Sequence, residues 1–106
     1  MGLFDVFKRA DINSGVEDFL NSPNGVLLDV RTAEEYAQGH IPGSVNLDVA
    51  VIARAPQVLP DKAVPLFVYC RSGARSAQAV AALERMDYCN VKNIGGIIHY
   101  RGKVER

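Results

Sequence analysis

Two apolar runs constrain this chain more than anything else in it. Val26-Leu27-Leu28-Asp29-Val30 and Leu66-Phe67-Val68-Tyr69 show no steady alternation of apolar and polar residues. A strand with one wet face alternates; a strand covered on both faces does not. Turn chemistry bounds both runs, with Asn21-Ser22-Pro23-Asn24-Gly25 before the first and Pro60-Asp61-Lys62 ahead of the second. The pattern predicts a sheet buried between helices, with the second run near its centre.

Helical signals fall between the strand signals. Asn13 or Ser14 is a candidate cap for a helix to about Leu20, with Val16, Phe19 and Leu20 on one face. Thr32 with Glu35 three residues on forms a capping box, opening a helix that must stop before Gly39-His40-Ile41-Pro42-Gly43. Residues 49–59 read as helical or irregular, with Pro56 as a break. From about Arg75 to Met86, Ser76, Ala79, Val80 and Leu83 share one side, while Gln78, Glu84 and Arg85 face away. Further strands are expected at 10–12, 44–48 and 91–94, the last ended by Gly95-Gly96 and followed by a short helix from Ile97 to about Tyr100. Strands alternating with short helices mean an α/β domain with a mainly parallel sheet. Ligands of such sheets sit at the carboxyl ends of the strands.

Cys70 stands at such an end. After it come Arg71-Ser72-Gly73-Ala74-Arg75-Ser76 and then a helix. A thiol beside a loop that feeds a helix N-terminus meets converging backbone N–H groups and the positive end of the helix dipole, a setting that stabilises a thiolate. The chain carries twelve basic and twelve acidic residues, so the two arginines here are a local feature of a chain with no net charge. That balance argues against nucleic acid or an anionic membrane surface as partner. Two cysteines make no disulfide framework and fit no zinc spacing. No segment approaches the apolar length of a membrane span or a signal peptide, so a reducing cytoplasm is the expected location. At 106 residues, a single domain with its core over 11–103 is expected, preceded by an arm over 1–10. The apolar Leu3, Phe4, Val6 and Phe7 of that arm are expected to dock on the domain.

Several separated motifs resemble the rhodanese-like (sulfurtransferase) family. Leu28-Asp29-Val30-Arg31, Glu34-Glu35-Tyr36 and Gly39-His40-Ile41-Pro42-Gly43-Ser44-Val45-Asn46 look like its N-terminal signature. Cys70-Arg71-Ser72-Gly73-Ala74-Arg75-Ser76 looks like its active-site loop, and Asn93-Ile94-Gly95-Gly96-Ile97 is similar to the stretch that closes the domain. The resemblance implies a central five-stranded, mainly parallel sheet with helices on both faces. It implies a catalytic Cys70 that carries sulfane sulfur as a persulfide, with thiosulfate as donor and cyanide or a thiol as acceptor. A protein donor or acceptor is the relay alternative. No metal or organic cofactor is implied.

Within the loop, the amides from Arg71 to Ser76 are expected to lower the thiol pKa from its free value near ~8.5 and to hold the persulfide anion. Gly73 supplies backbone freedom. Arg71 is expected to steer an anionic donor at the loop mouth, against the alternative of a solvated surface arginine. Arg75 either points into the loop or ties it to an acidic residue elsewhere. Ser72 and Ser76 either donate hydroxyl hydrogen bonds or cap the helix. As supporting residues, Asp29 accepts from loop backbone or pairs with an arginine, and Arg31 lines the site or braces the helix after Thr32. His40 is expected to brace its loop, His99 to be surface, and Cys89 to be a half-buried small residue rather than a resolving thiol.

Four residues separate Cys70 from Arg75. Tyrosine-phosphatase-type loops carry one residue more, which makes room for a tetrahedral phosphate. The shorter ring favours sulfur transfer over phosphatase or arsenate reductase chemistry. Ala74 departs from the asparagine frequent in the family at that place, Tyr100 from tryptophan, and Asp87 from glycine.

Overall fold

The computed structural model describes residues 10–106. The apolar cluster of the arm lies outside the described residues. In chain order the elements are α1 (Ile12–Leu20), β1 (Val26–Asp29), α2 (Ala33–Gln38), β2 (Ser44–Asn46), a 3-10 segment (Val49–Arg54), α3 (Ala55–Val58), β3 (Leu66–Cys70), α4 (Ala74–Arg85), β4 (Val91–Gly96) and a closing 3-10 turn (Ile97–His99).

The four strands form one sheet in the order β2-β1-β3-β4, every neighbouring pair parallel. β3 lies inside, and all five of its residues are buried. Side chains of β1 and β3 alternate between two cores even though their chemistry does not alternate. Leu28, Val30, Leu66, Val68 and Cys70 pack with Ala79 and Leu83 of α4, Ala55 of α3, Leu59 and Tyr88, with Val49 and Ile52 of the 3-10 segment at the margin. Leu27, Phe67 and Tyr69 face the other way, onto Ile12 and Val16 of α1, together with Ile41 and Ile94. Helices on both faces are why neither strand needs a polar side.

The sheet has four strands among the described residues, not five. The strand expected at 10–12 is absent because Asp11 is the N-cap of α1: its carboxylate accepts from the Asn13 N–H at 3.0 Å and draws Ile12 into the first helical turn. The cap is thus Asp11, not Asn13 or Ser14. β2 is shorter than 44–48, since Asp48 turns to cap the 3-10 segment through the Ala50 N–H. Pro56 does not break the chain; it occupies the first turn of α3, where its missing N–H would have had no partner. The Thr32–Glu35 capping box forms in both directions. α4 ends through Asp87, which takes φ 72°, a left-handed conformation glycine adopts more readily.

At the C-terminal end, Glu105 makes an antiparallel bridge to His40. His40 itself is a brace: its ring stacks on Tyr36 with centroids 3.7 Å apart, and Nδ1 lies 2.8 Å from the Tyr36 carbonyl oxygen. No helix among the described residues is long and apolar enough to cross a membrane.

Candidate active site

The Cys70 loop is held over the carboxyl end of the sheet by the backbone beneath it. Cys70 pairs in register with Gly96. A Cβ at Gly96 would run into the Arg71 carbonyl and sit 2.6 Å from the Ser72 Cα, so only glycine lets the loop cross there. The Ile98 N–H then donates to the Arg71 carbonyl at 3.2 Å and anchors the loop's first residue. Gly73, at φ 104°, turns the chain into α4 as its N-cap.

This turn wraps the sulfur. Cys70 is 1% exposed, and its Sγ accepts from the Gly73 N–H at 3.0 Å, with Ser76 Oγ at 3.4 Å. Burial pushes the thiol pKa up. The Ser76 hydroxyl and the backbone N–H groups of Ser76, Gly73 and Ser72 outweigh it and bring the thiol below its ordinary value. A thiolate at this position is therefore favoured relative to an ordinary cysteine.

The other loop residues divide by direction. Arg71, Ser72 and Ala74 are exposed. Arg75 does not aim into the ring: its two terminal nitrogens grip the Glu35 carboxylate at 2.7 and 2.9 Å. The hydrogen bond from Arg75 does most to pull the Glu35 pKa down, to about 2, and Glu35 in turn raises that of Arg75. Neither serine caps α4. Gly73 is the cap, and Ser76 is instead a buried hydroxyl within reach of the Gly73 carbonyl and of Asn93 Oδ1.

This ion pair has a pH signature. Glu35 has its pKa depressed on folding, so its contribution is complete above about pH 4.5 and is lost as pH falls through about 2. Glu35→Gln, which keeps the box geometry, should cost about 1–2 kcal/mol at neutral pH after discounting for solvent at this partly exposed pair. In urea titrations at several pH values, that difference should shrink as pH drops from about 4.5 towards about 2. A gap that stayed constant over that range would remove the ion pair from the account.

Asp29 and Arg31 form a buried ion pair at the end of β1, with no hydrogen bond to the Cys70 loop. Asp29 is fully buried and Arg31 6% exposed. Arg31 donates from Nε and Nη2 to the Asp29 carboxylate at 2.7–3.1 Å, and its backbone N–H donates to Asp29 Oδ1 at 2.9 Å. Nη2 also reaches the Gly39 carbonyl at 2.7 Å, so Arg31 braces the end of α2. Burial alone would lower the Arg31 pKa; Asp29 overcomes that and raises it.

Nothing local in the sequence marks Asn93 or Glu35 as part of this site: Asn93 stands in the closing stretch, and Glu35 is half of a capping box. A bulge brings Asn93 in: Val68 pairs with Asn93 but Tyr69 pairs with Gly95, so Ile94 is extra in β4. The Gly95 N–H donates to Asn93 Oδ1 at 3.0 Å, which aims the amide at the loop. His99 is exposed as expected. It also lines a cleft of about 380 Å³ beside the loop, with Ser72, Gly73, Asn93, Gly95, Gly96 and Ala10. A larger hollow of about 480 Å³ at the opposite end of the sheet, around Asp61 and Pro65, is lined by no thiol or hydroxyl among the described residues.

Cys89 is exposed rather than half-buried, and its N–H donates to the Lys62 carbonyl at 3.2 Å. It lies just ahead of Val91, which pairs with Leu66 at the start of β3, whereas Cys70 ends that strand. Four strand residues span about 13 Å, well beyond the ~7 Å reach of a disulfide, so Cys89 is not placed to resolve a persulfide on Cys70.

Comparison with known proteins converges on one group. The family model described as "Rhodanese-like domain" matches residues 13–100. The thiosulfate sulfurtransferase PspE of Escherichia coli is 38% identical over 71 residues, covering 66% of this chain and 68% of that protein. A sulfurtransferase of Allochromatium vinosum is 45% identical over 75 residues, covering 69% and 68%. Among solved structures, a "rhodanese with anions from E. coli" superposes with a TM-score of 0.71 at 34% identity, covering 77% of this chain and 98% of that one.

Proposed function

Because the chain belongs to the rhodanese-like domain family, we propose that it is a sulfurtransferase in which Cys70 carries sulfane sulfur from an anionic donor such as thiosulfate to a thiophilic acceptor. The Cys70 thiolate attacks the outer sulfur of thiosulfate. The sulfur–sulfur bond of the donor breaks, sulfite leaves with the electron pair, and Cys70 holds a persulfide anion. Cyanide or a thiolate then takes the outer sulfur and returns the thiolate. No proton need move in either step with an anionic acceptor, which agrees with a site where no histidine contacts Cys70.

The observation that carries this reading is a buried Cys70 sulfur that accepts from the Gly73 N–H at 3.0 Å and faces the Ser76 hydroxyl at 3.4 Å, at the start of α4. Such a setting stabilises the resting thiolate and the persulfide alike without any metal. Arg71, exposed at the rim, is suited to attract the dianionic donor, while Arg75, tied to Glu35, holds the start of α4 against α2. An arginine committed to Glu35 is not free to cradle a phosphate, and this favours sulfur transfer over phosphatase chemistry. Incubation with thiosulfate should add about 32 Da, one sulfur, to the intact mass, and cyanide or dithiothreitol should remove it. Absence of that adduct at millimolar thiosulfate would turn attention to a protein donor. Rapid Cys70-dependent hydrolysis of an aryl phosphate would overturn the assignment.

A further inference from the structure

Ser76 has one hydroxyl proton and three acceptors within reach. Asn93 Oδ1 lies at 2.8 Å, the Gly73 carbonyl oxygen at 3.0 Å and Cys70 Sγ at 3.4 Å. One hydroxyl donates to one acceptor at a time. Ser76 is fully buried, so water does not replace whichever bond is missing. Where that proton goes decides whether the Cys70 thiolate has a side-chain donor.

Asn93 acts on both competitors. Its Nδ2 donates to the Gly73 carbonyl at 3.2 Å, and the Ala77 N–H donates to the same oxygen at 3.1 Å, so both lone pairs there are filled without Ser76. Its Oδ1 already accepts from the Gly95 N–H at 3.0 Å and therefore stays satisfied when Ser76 turns away. We infer that Asn93 is a positioning residue, one that parks the Ser76 hydroxyl on its own Oδ1 while Cys70 is a thiol and releases it to Sγ when Cys70 is an anion. With the thiol, the S–H donates to Ser76 Oγ and the Ser76 proton rests on Asn93. With the thiolate, the hydroxyl rotates onto sulfur and no buried polar atom is orphaned. Without Asn93, one lone pair of the Gly73 carbonyl is open and captures the Ser76 proton. The inference rests on the reading that the Cys70 thiolate is the working nucleophile.

The charged groups around the thiol are Arg71 in the loop, Arg75 of α4 with Glu35 of α2, Asp48 ahead of the 3-10 segment, the Asp29–Arg31 pair ending β1, and His99 at the cleft. Exchanges of neutral Ser76 and Asn93 leave all of them in place. The test is the pH profile of alkylation of Cys70 by iodoacetamide, read by intact mass in a Cys89→Ser background so that only one thiol reports. Ser76→Ala should raise the midpoint by about one pH unit, about tenfold less thiolate at neutral pH. Asn93→Ala should raise it comparably, and the double variant should move no further than Ser76→Ala alone.

An unchanged midpoint in Asn93→Ala, with only its thermal stability lowered, would reduce Asn93 to a structural residue and overturn the inference. A shift of the same size in the Ser76→Ala background would do so too, because it would mean that the loop amides had been lost instead. Asn93→Leu guards against a variant that collapses around a cavity. It fills a similar volume, adds no charge, and lacks the amide donor to the Gly73 carbonyl. Its midpoint should also rise, and an equal or lower midpoint would again overturn the inference. Alkylation needs no sulfur donor, so a failure to load thiosulfate would count against the proposed function and leave this result standing.

Discussion

Cys70→Ser is expected to take up no sulfur from thiosulfate, at least about a hundredfold below the parent, because a serine oxygen at neutral pH is neither an anion nor able to form a persulfide. The substitution is close to isosteric, and its hydroxyl can still accept from the Gly73 N–H that now meets Sγ. The fold should therefore persist, and the urea midpoint should move little. Cys89 provides the internal control. It is exposed just ahead of β4, beside the start of β3 and away from Cys70, so Cys89→Ser should load sulfur as the parent does. The measurement is intact mass after thiosulfate, with and without cyanide. Undiminished uptake by Cys70→Ser, or its loss in Cys89→Ser, would reassign the nucleophile.

Asp29→Ala should cost about 3–5 kcal/mol, the range for breaking a buried pair and leaving one charge behind. Arg31 would keep its Gly39 contact but lose the carboxylate that neutralises it, inside a region where it is 6% exposed. Against a total stability of about 5–15 kcal/mol for a domain of this kind, that change is large enough to unfold a substantial fraction of the protein when warmed. Arg31→Met should be comparably severe, since it strands a fully buried carboxylate. Joint replacement by Leu and Met should recover part of the loss, because no charge then remains to be solvated. Urea denaturation of the three variants decides the matter. A cost below about 1 kcal/mol for Asp29→Ala would mean that water reaches Arg31 in the variant. The thiol ring would feel such a change only through the end of α2, so the folded fraction of Asp29→Ala should still alkylate at Cys70 with the parent's pH profile.

What could be read in the chain follows a physical division. The central strands, the capping box at Thr32, the loop after Cys70 and the α4 face of Ser76, Ala79 and Leu83 were legible because each depends on residues a few positions apart. Burial on both sides writes itself as an unbroken apolar run, and a thiol followed by glycine and a helix marks an anion-stabilising turn. These features, with the motif resemblance, led to an α/β rhodanese-like fold and to Cys70. The weak strand signal at 10–12 failed for the same local reason: Asp11 had a helix to cap, and three residues have no ladder of their own to resist it.

Tertiary structure decided what lies far apart in sequence. Arg75 could as well have turned into the loop, and only the placement of α2 brings Glu35, forty positions away, within 2.7 Å of it. Asn93 looks like any polar residue in a closing strand until the bulge at Ile94 aims its amide at Gly73 and Ser76. Nothing local to Gly96 announces that the Arg71 carbonyl must pass over it. Local residue order sets which sulfur stands at the end of which strand. The folded chain decided which donors surround that sulfur, because hydrogen-bond partners are chosen by distance in space, and the crossovers of a parallel sheet bring together residues that no short window contains.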